Sequence, residues 1–188
     1  MTRLYFLDAN TIAGADDLGV ILLIDRESRR GISIVCERRM VEHIKQRQME
    51  GVDTARQLPE VLWTVIRRRD DTTYRILFSN MQDEQYVVFL YDETHSTAYA
   101  LRASDAVLLA LVSDIPIYIE DNLFRRQSIA LQENGQSVRI PLNSLPLHML
   151  EEALQQAIDD EAFEQASRLR DEIRRRNADA TTTETQQQ

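Results

Sequence analysis

Short apolar runs, separated by polar turn residues, predict a series of β-strands along most of the chain. Runs rich in β-branched residues that end at Gly, Asp or Ser are typical of strands. The predicted strands are residues 3–8, 18–25, 31–36, 72–79, 85–92, 96–103 and 115–119. Only short polar turns separate the strands at 72–79, 85–92 and 96–103, so we expect these three to form an antiparallel meander.

Between these strands, apolar residues recur every three or four positions, which is the spacing of a helix with one buried face. The predicted helices are residues 38–50, 57–68, 105–113 and the short segment NLFRRQ at 122–127. Gly51 is placed to end the first helix. Ser104 is placed to cap the third helix, where the carboxylate of Asp105 favours the positive end of the helix dipole. The pattern therefore predicts an α+β fold with a mixed, largely antiparallel sheet and flanking helices.

The pattern changes after a linker that contains Gly135, Pro141 and Pro146. Two helical stripes joined by a tight polar turn follow, and they predict a C-terminal αα-hairpin. The apolar positions of the stripes are Leu147, Leu150, Leu154, Ala157, Phe163, Ala166, Leu169 and Ile173. The predicted organisation is a domain at 1–128, a linker at 129–145, the hairpin at 146–176 and a disordered polar tail at 177–188.

The hairpin has too few apolar side chains to offset the conformational entropy lost when it becomes ordered. Its stripe must therefore be covered by the preceding domain, by a second copy of the chain or by another protein. Because the prolines and the glycine of the linker would hold the hairpin away from the domain, we favour an intermolecular role. The alternative is that the hairpin is a C-terminal cap of the domain.

The negative net charge limits how this chain can bind nucleic acid. The 188 residues carry a formal net charge of −9, so the average field repels phosphate and any phosphate contact must be local. The basic residues are almost all arginines in pairs and triplets, which fit either a solvated surface or a phosphate-binding groove. A single cysteine, Cys36, excludes an intrachain disulfide. In the absence of an apolar run that could form a signal peptide or a membrane span, we expect a cytoplasmic protein.

The hairpin sequence LEEALQQAIDDEAFEQASRLRDEIRRR, residues 150–176, resembles the UVR motif. The resemblance rests on an acidic first helix, an aromatic-acidic pair after the turn, a small residue and a Leu-Arg-Asp run. It implies association with a protein partner, or self-association into a homodimer or a larger homo-oligomer. The residues that this implies for partner binding are Leu150, Leu154, Phe163, Leu169, Arg170 and Ile173.

The segment ALRASDAVLLALVSDIPIYIEDNLF, residues 100–124, is similar to the signature of the bifunctional nuclease domain family. In that signature an Arg-x-Ser-Asp-Ala stretch opens a helix and a Pro-Ile-Tyr strand follows. Together with the upstream strand order, the resemblance covers about residues 3–128. It implies a bacterial nuclease that acts on DNA and RNA.

Three polar positions of the family are replaced in this chain. The family's Leu-Thr-His-Asp-Leu stretch falls on LPEVL, so Glu60 stands in place of the histidine and Val61 in place of the aspartate. Met40 stands where the family has an acidic residue. Phosphodiester hydrolysis needs an activated water and groups that offset the developing negative charge, so these replacements bear on catalysis.

Arg102, Ser104 and Asp105 remain at matching positions, and with Glu60 as a substitute they form the predicted catalytic site. Arg102 is suited to bind a phosphate bidentately, and Asp105 to hold a water or a Mg²⁺ or Mn²⁺ ion. Helix capping alone would also select Ser-Asp at a helix start. Two functions therefore stay open: a nuclease with a protein-interaction hairpin, or a non-enzymatic adaptor or regulator that has lost catalysis.

Overall fold

The computed structural model describes residues 1–12, 15–68, 72–130, 133–134, 137–138, 147–159, 161, 163–164, 166–167, 169–171 and 173–174. The strands are β1 (Thr2–Ile12), β2 (Ala15–Asp25), β3 (Arg30–Glu37), β4 (Tyr74–Gln82), β5 (Gln85–Asp92), β6 (Thr97–Leu101), β7 (Ile117–Ile119), β8 (Ile129–Ala130), β9 (Glu133–Asn134) and β10 (Ser137–Val138). The helices are α1 (Arg38–Gln48), α2 (Leu58–Arg67), α3 (Ala103–Ser113), α4 (Asp121–Gln127) and α5 (Leu147–Asp159).

One eight-stranded sheet organises the domain, in the order β6-β5-β4-β7-β1-β2-β3-β8. Two antiparallel meanders, β1-β2-β3 and β4-β5-β6, make up most of it. Strand β7 joins them because it pairs parallel with β4 and antiparallel with β1. The predicted α+β class with a mixed, largely antiparallel sheet is therefore confirmed.

Helices α1 and α3 lie against the sheet and bury the main core. Fully buried side chains from both layers meet there, among them Ile21 of β2, Ile44 of α1 and Val107 of α3. The approach of α1 is close at Gly19, where an added Cβ would lie 2.2 Å from Cγ2 of Val41. A glycine at this position lets α1 pack directly on β2.

The hairpin helix α5 docks on the same domain. Leu150, Ala157 and Leu169 are 0%, 1% and 2% exposed, and Ile12 of β1 and Val35 of β3 pack against them. Helical residues continue at 163–164, 166–167, 169–171 and 173–174. The expectation that the linker holds the hairpin away from the domain is wrong, because this contact removes Leu150, Ala157 and Leu169 of the apolar stripe from water.

Two predicted helix boundaries also differ. Helix α3 begins at Ala103, with the extended Arg102 (φ −67°, ψ 142°) as its N-cap residue, so the prediction of Ser104 as N-cap is wrong. Helix α1 ends at Gln48 because Met49 is extended (φ −81°, ψ 127°). Gly51 adopts φ 82° in the turn that follows, and it does not end the helix.

The predicted linker at 129–145 begins inside the sheet, since Ile129 and Ala130 of β8 pair with Gly31 and Arg30 of β3. The predicted disordered tail at 177–188 lies outside the described residues. None of the helices within the described part of the chain has the length and the apolar character that crossing a membrane requires.

Candidate functional site

Arg102 and Asp105 form a bidentate ion pair at the start of α3. Nε of Arg102 donates to Oδ2 of Asp105 over 2.6 Å, and Nη2 donates to Oδ1 over 3.2 Å. The pair forms because Arg102 is extended just before the helix and Asp105 lies in the first helical turn. The hydrogen bonds and the attraction of Asp105 raise the pKa of Arg102. The guanidinium of Arg102 therefore stays positively charged, and the Arg102 side chain is 70% exposed.

Glu37 brings a second carboxylate to the same guanidinium. Its Oε1 lies 3.8 Å from Nη1 of Arg102, and its side chain is 75% exposed. Glu37 is the residue before α1, as Arg102 is the residue before α3, so the N-terminal ends of the two helices meet here. The predicted site did not include Glu37. In the sequence, Glu37 stands directly before the arginine-rich start of a predicted helix, which is a hint of a role. Its contact with Arg102 joins residues that are far apart in the sequence, so the sequence pattern does not show it.

A surface depression adjoins this pair of helix starts. Its lining residues are Asp17, Glu37, Arg38, Arg39 and Glu42. Nε of Arg38 lies 3.2 Å from Oε1 of Glu42, one helical turn along α1. The depression thus mixes both signs of charge and shares Glu37 with the Arg102 cluster.

Glu60 has a different partner. Nη2 of Arg47 lies 2.8 Å from each carboxylate oxygen of Glu60, with side chains that are 9% and 16% exposed. Burial raises the pKa of Glu60, but hydrogen bonds from Arg47 and Thr54 and the charge of Arg47 outweigh burial and leave it lowered. Glu60 therefore joins α2 to α1 through an ion pair, and its catalytic role stays a prediction.

The replaced family positions lie in two environments. Met40 is half-buried and packs against the main core, so an apolar residue suits that position. Val61 is 43% exposed on α2.

Ser104 matches the family and is half-buried in the first turn of α3, between Arg102 and Asp105 in sequence.

The surroundings of the Cys36 thiol and of the Asp92 carboxylate also shift the pKa values of these groups. Burial, and after it the charge of Glu37, raises the pKa of the Cys36 thiol to about 12, so this thiol is protonated at neutral pH and is a poor nucleophile. At the end of β5, Nδ1 of His95 lies 2.8 Å from Oδ2 of Asp92, whose side chain is 7% exposed. Asp92 also accepts a hydrogen bond from the backbone N–H of His95, so this pair shapes the turn between β5 and β6.

The six residues predicted to bind a partner divide by exposure. Leu150 and Leu169 are buried in the contact with the sheet, and Leu154 and Ile173 are partly buried against it. Phe163 is 71% exposed, and Arg170 is exposed beside Asp171. The surface that the docked hairpin presents to solvent therefore includes Phe163 and Arg170.

The fold and these contacts define a class: an eight-stranded mixed sheet packed against α1 and α3, with an exposed arginine between carboxylates at the starts of these two helices and with a docked C-terminal hairpin. The family model described as "Bifunctional nuclease domain" matches residues 20–132, which is more than half of the chain. The protein belongs to this family. The "UvrB/uvrC motif" model matches residues 147–176. Both predicted resemblances are confirmed, and a search of curated proteins found no match to the chain.

Proposed function

We propose that this protein hydrolyses phosphodiester bonds in nucleic acid at a site formed by Arg102, Asp105 and Glu37. The observation that carries the proposal is the exposed guanidinium of Arg102, which lies between two carboxylates at the starts of α1 and α3. Family membership supports the same reaction class.

Phosphate binding falls to Arg102. Asp105 engages Nε and Nη2, while the 3.8 Å contact between Nη1 and Glu37 is longer than a hydrogen bond. Nη1 is therefore available to a phosphate oxygen, and the backbone N–H groups at the start of α3 add a favourable dipole. With a net charge of −9, the chain needs such a local contact to hold nucleic acid.

The two carboxylates supply the remaining chemistry. Asp105 or Glu37 accepts a proton from the attacking water, whose oxygen bonds to phosphorus while the bond from phosphorus to the leaving sugar oxygen breaks. The leaving oxygen takes up a proton from solvent, and Arg102 offsets the charge that develops on the phosphoryl oxygens. Two solvent-accessible carboxylates beside a phosphate position also fit Mg²⁺ or Mn²⁺, which bind through one or two carboxylates and the substrate phosphate. When bound, such an ion supplies Lewis acidity and a more acidic water.

The test is cleavage of labelled single-stranded and duplex DNA and RNA by purified protein, with Mg²⁺, with Mn²⁺ and with EDTA. We expect cleavage that Asp105→Ala and Asp105→Asn abolish. Asp114→Asn is the matched control, because Asp114 is an exposed carboxylate at the other end of α3 and Asn tolerates its φ of 59°. Equal cleavage by the Asp105 variants would exclude this site, and no cleavage under any condition would exclude the enzyme.

A non-enzymatic adaptor is the second candidate, and the 71% exposure of Phe163 on the docked hairpin supports it. The UvrB/uvrC motif points to protein association, and an exposed aromatic is a common anchor for it. Affinity capture with the wild type, Phe163→Glu and Tyr99→Glu as baits tests this role. The adaptor predicts a partner that Phe163→Glu loses and that Tyr99→Glu, on the exposed strand β6, retains. Identical capture by all three baits would count against it.

A further inference from the structure

The sheet has a second face, opposite to the face on which α1 and α3 pack. Successive side chains of a strand point to opposite faces, so a residue between two core positions lies on this second face. Tyr118, for example, lies between Ile117 and Ile119, which are both buried in the main core. We name the following set of strand residues on the second face the aromatic face: Arg3, Tyr5, Arg75, Leu77, Phe89, Tyr91, Ala98, Ala100 and Tyr118.

Strand pairing brings the aromatic side chains of this face close together. Tyr118 pairs with Leu77, and Leu77 pairs with Phe89, in one row across β7, β4 and β5. Arg75 pairs with Tyr91 in the neighbouring row. The rings of Phe89 and Tyr91 meet edge-to-face with their centroids 6.0 Å apart. The aromatic face is therefore a continuous surface that crosses several strands.

The rings of the aromatic face remain accessible. All four aromatic residues are half-buried, and within the described residues none of them packs into the main core or the hairpin contact. The docked hairpin covers the second face elsewhere, at Val35 of β3. On β6, the exposed Ala98 and Ala100 pair with Tyr91 and Phe89, so small side chains flank these two rings.

Arginine side chains stack on a ring of this face. Cζ of Arg26 lies 3.9 Å from the centroid of the Tyr5 ring, and Cζ of Arg3 lies 5.1 Å from it. Neither arginine forms an ion pair with a carboxylate of the described part of the chain. Both charges are therefore available to a negatively charged ligand.

A third arginine lies at the other side of the face. Cζ of Arg75 is 5.5 Å from the centroid of the Tyr91 ring, and its Nε is 3.3 Å from Oε1 of Glu93 at the rim. The aromatic face itself includes two arginines and no carboxylate, in a chain with a net charge of −9. This part of the surface is thus locally basic.

We propose that the aromatic face binds single-stranded nucleic acid, with bases stacked on its rings and phosphates near Arg3 and Arg26. Unpaired bases stack on aromatic side chains of a sheet surface and on guanidinium planes, and arginines beside the rings attract the backbone. The bases of a duplex stack on each other and do not offer their faces to the protein, so the face should select single strands.

This surface is separate from the cluster proposed for hydrolysis, and its binding does not depend on hydrolysis there. The two are connected at one edge, because Arg102 directly follows Leu101, the last residue of β6. A strand that crosses the aromatic face towards β6 therefore reaches Arg102. The face adds affinity and a preference for single strands, while the cluster supplies the chemistry.

Fluorescence anisotropy with a short labelled oligonucleotide in EDTA tests the proposal, with the single strand and the duplex of the same sequence compared as DNA and as RNA. We expect tighter binding of the single strand. Phe89→Leu and Tyr91→Leu should each weaken it by about 5- to 100-fold, because each removes one stacking ring. Phe89→Tyr and Tyr91→Phe keep a ring and should bind like the wild type.

Two further comparisons separate stacking from charge. The leucine variants should leave the slope of log affinity against log salt unchanged, whereas Arg3→Ala and Arg26→Ala should each reduce this slope by about 1. Tyr99→Leu is the matched control for the rings, since Tyr99 is 53% exposed and pairs with Leu90 on the other face of the sheet. Arg56→Ala is the control for the arginines.

Equal affinity for duplex and single strand would overturn the proposal, and so would wild-type binding by both leucine variants. Equal weakening in Phe89→Leu and Phe89→Tyr would also overturn it, because stacking would then not be the cause. Circular dichroism checks that each variant is folded.

The outcome is distinguishable from that of the proposed hydrolysis. Binding that depends on the rings, with no cleavage under any condition, would support the aromatic face and exclude the enzyme. Cleavage that Asp105→Asn abolishes, with binding that the ring variants do not change, would support the enzyme and exclude the aromatic face.

Discussion

Arg47 and Glu60 form an ion pair between α1 and α2, with Nη2 of the arginine 2.8 Å from both oxygens of the carboxylate. Both side chains are largely removed from solvent, and Arg47 also donates to Oε1 of Gln57 over 2.8 Å and to the backbone oxygen of His43 over 2.7 Å. One arginine therefore ties the end of α1 to the start of α2. This contact fixes the orientation of α2, whose apolar side chains Leu58, Leu62 and Val65 are exposed to solvent.

Glu60→Gln should lower the free energy of unfolding by about 2–4 kcal/mol, because it leaves the buried charge of Arg47 without its carboxylate. Urea denaturation of both proteins measures the difference. Glu50→Gln removes the same charge from an exposed residue and should change stability by less than about 0.5 kcal/mol. Cleavage assays on folded Glu60→Gln then separate the ion pair from catalysis: unchanged stability with lost cleavage would make Glu60 a catalytic residue.

Acid should destabilise the protein through Asp92. Burial raises the pKa of Asp92, but hydrogen bonds from the backbone N–H and the imidazole of His95, with the charge of His95, outweigh burial and leave the pKa lowered. The unfolded chain therefore binds the proton more readily. This stability is fully present above the ordinary aspartate pKa of about 3.9 and is lost as the pH falls through the lowered value.

Measurements of the unfolding free energy between neutral and acidic pH check this expectation. The acid-dependent loss should be smaller in Asp92→Asn than in the wild type. Asp114→Asn, which replaces an exposed carboxylate, is the control and should follow the wild-type curve. Identical curves for wild type and Asp92→Asn would show that the pair with His95 does not contribute.

Local sequence patterns were sufficient for most of the fold. Runs rich in β-branched residues predicted β1 to β7 within a few residues of their observed bounds. The short polar turns predicted the β4-β5-β6 meander. Helix ends were less certain because Ser104-Asp105 carries a capping signal, yet the backbone becomes helical at Ala103.

Tertiary pairing explains what sequence reasoning did not find. Glu37 meets Arg102, and Arg47 meets Glu60, only because helices distant in sequence pack together. The apolar stripe of the hairpin showed that something must cover it, but not that Ile12 and Val35 would do so. The helical spacing likewise placed Leu58, Val61, Leu62 and Ile66 on one face of α2, but it did not show that this face is exposed.

Arg102→Ala should weaken binding of a fluorescent single-stranded oligonucleotide and reduce the slope of log affinity against log salt by about 1, because one phosphate contact is removed. Fluorescence anisotropy across a salt series measures both quantities. Arg56→Ala removes an exposed arginine from the loop before α2 and should leave the slope unchanged. Equal slopes for wild type and Arg102→Ala would remove Arg102 from the phosphate site, and equal losses in both variants would indicate a diffuse charge effect.

Leu150→Ala should destabilise the docked hairpin by about 2–5 kcal/mol, because Leu150 is 0% exposed in the contact with the sheet and its truncation leaves a cavity. Phe163→Ala is the matched control, since it truncates a larger apolar side chain of the same hairpin that is 71% exposed, and its stability should stay close to the wild type. Hydrogen exchange of the α5 amides reports the docking directly, because faster exchange in Leu150→Ala alone indicates a released hairpin. Wild-type protection in Leu150→Ala would mean that the sheet does not hold the hairpin. If protection instead falls in Phe163→Ala, then the exposed aromatic, and not the buried stripe, holds the hairpin in place.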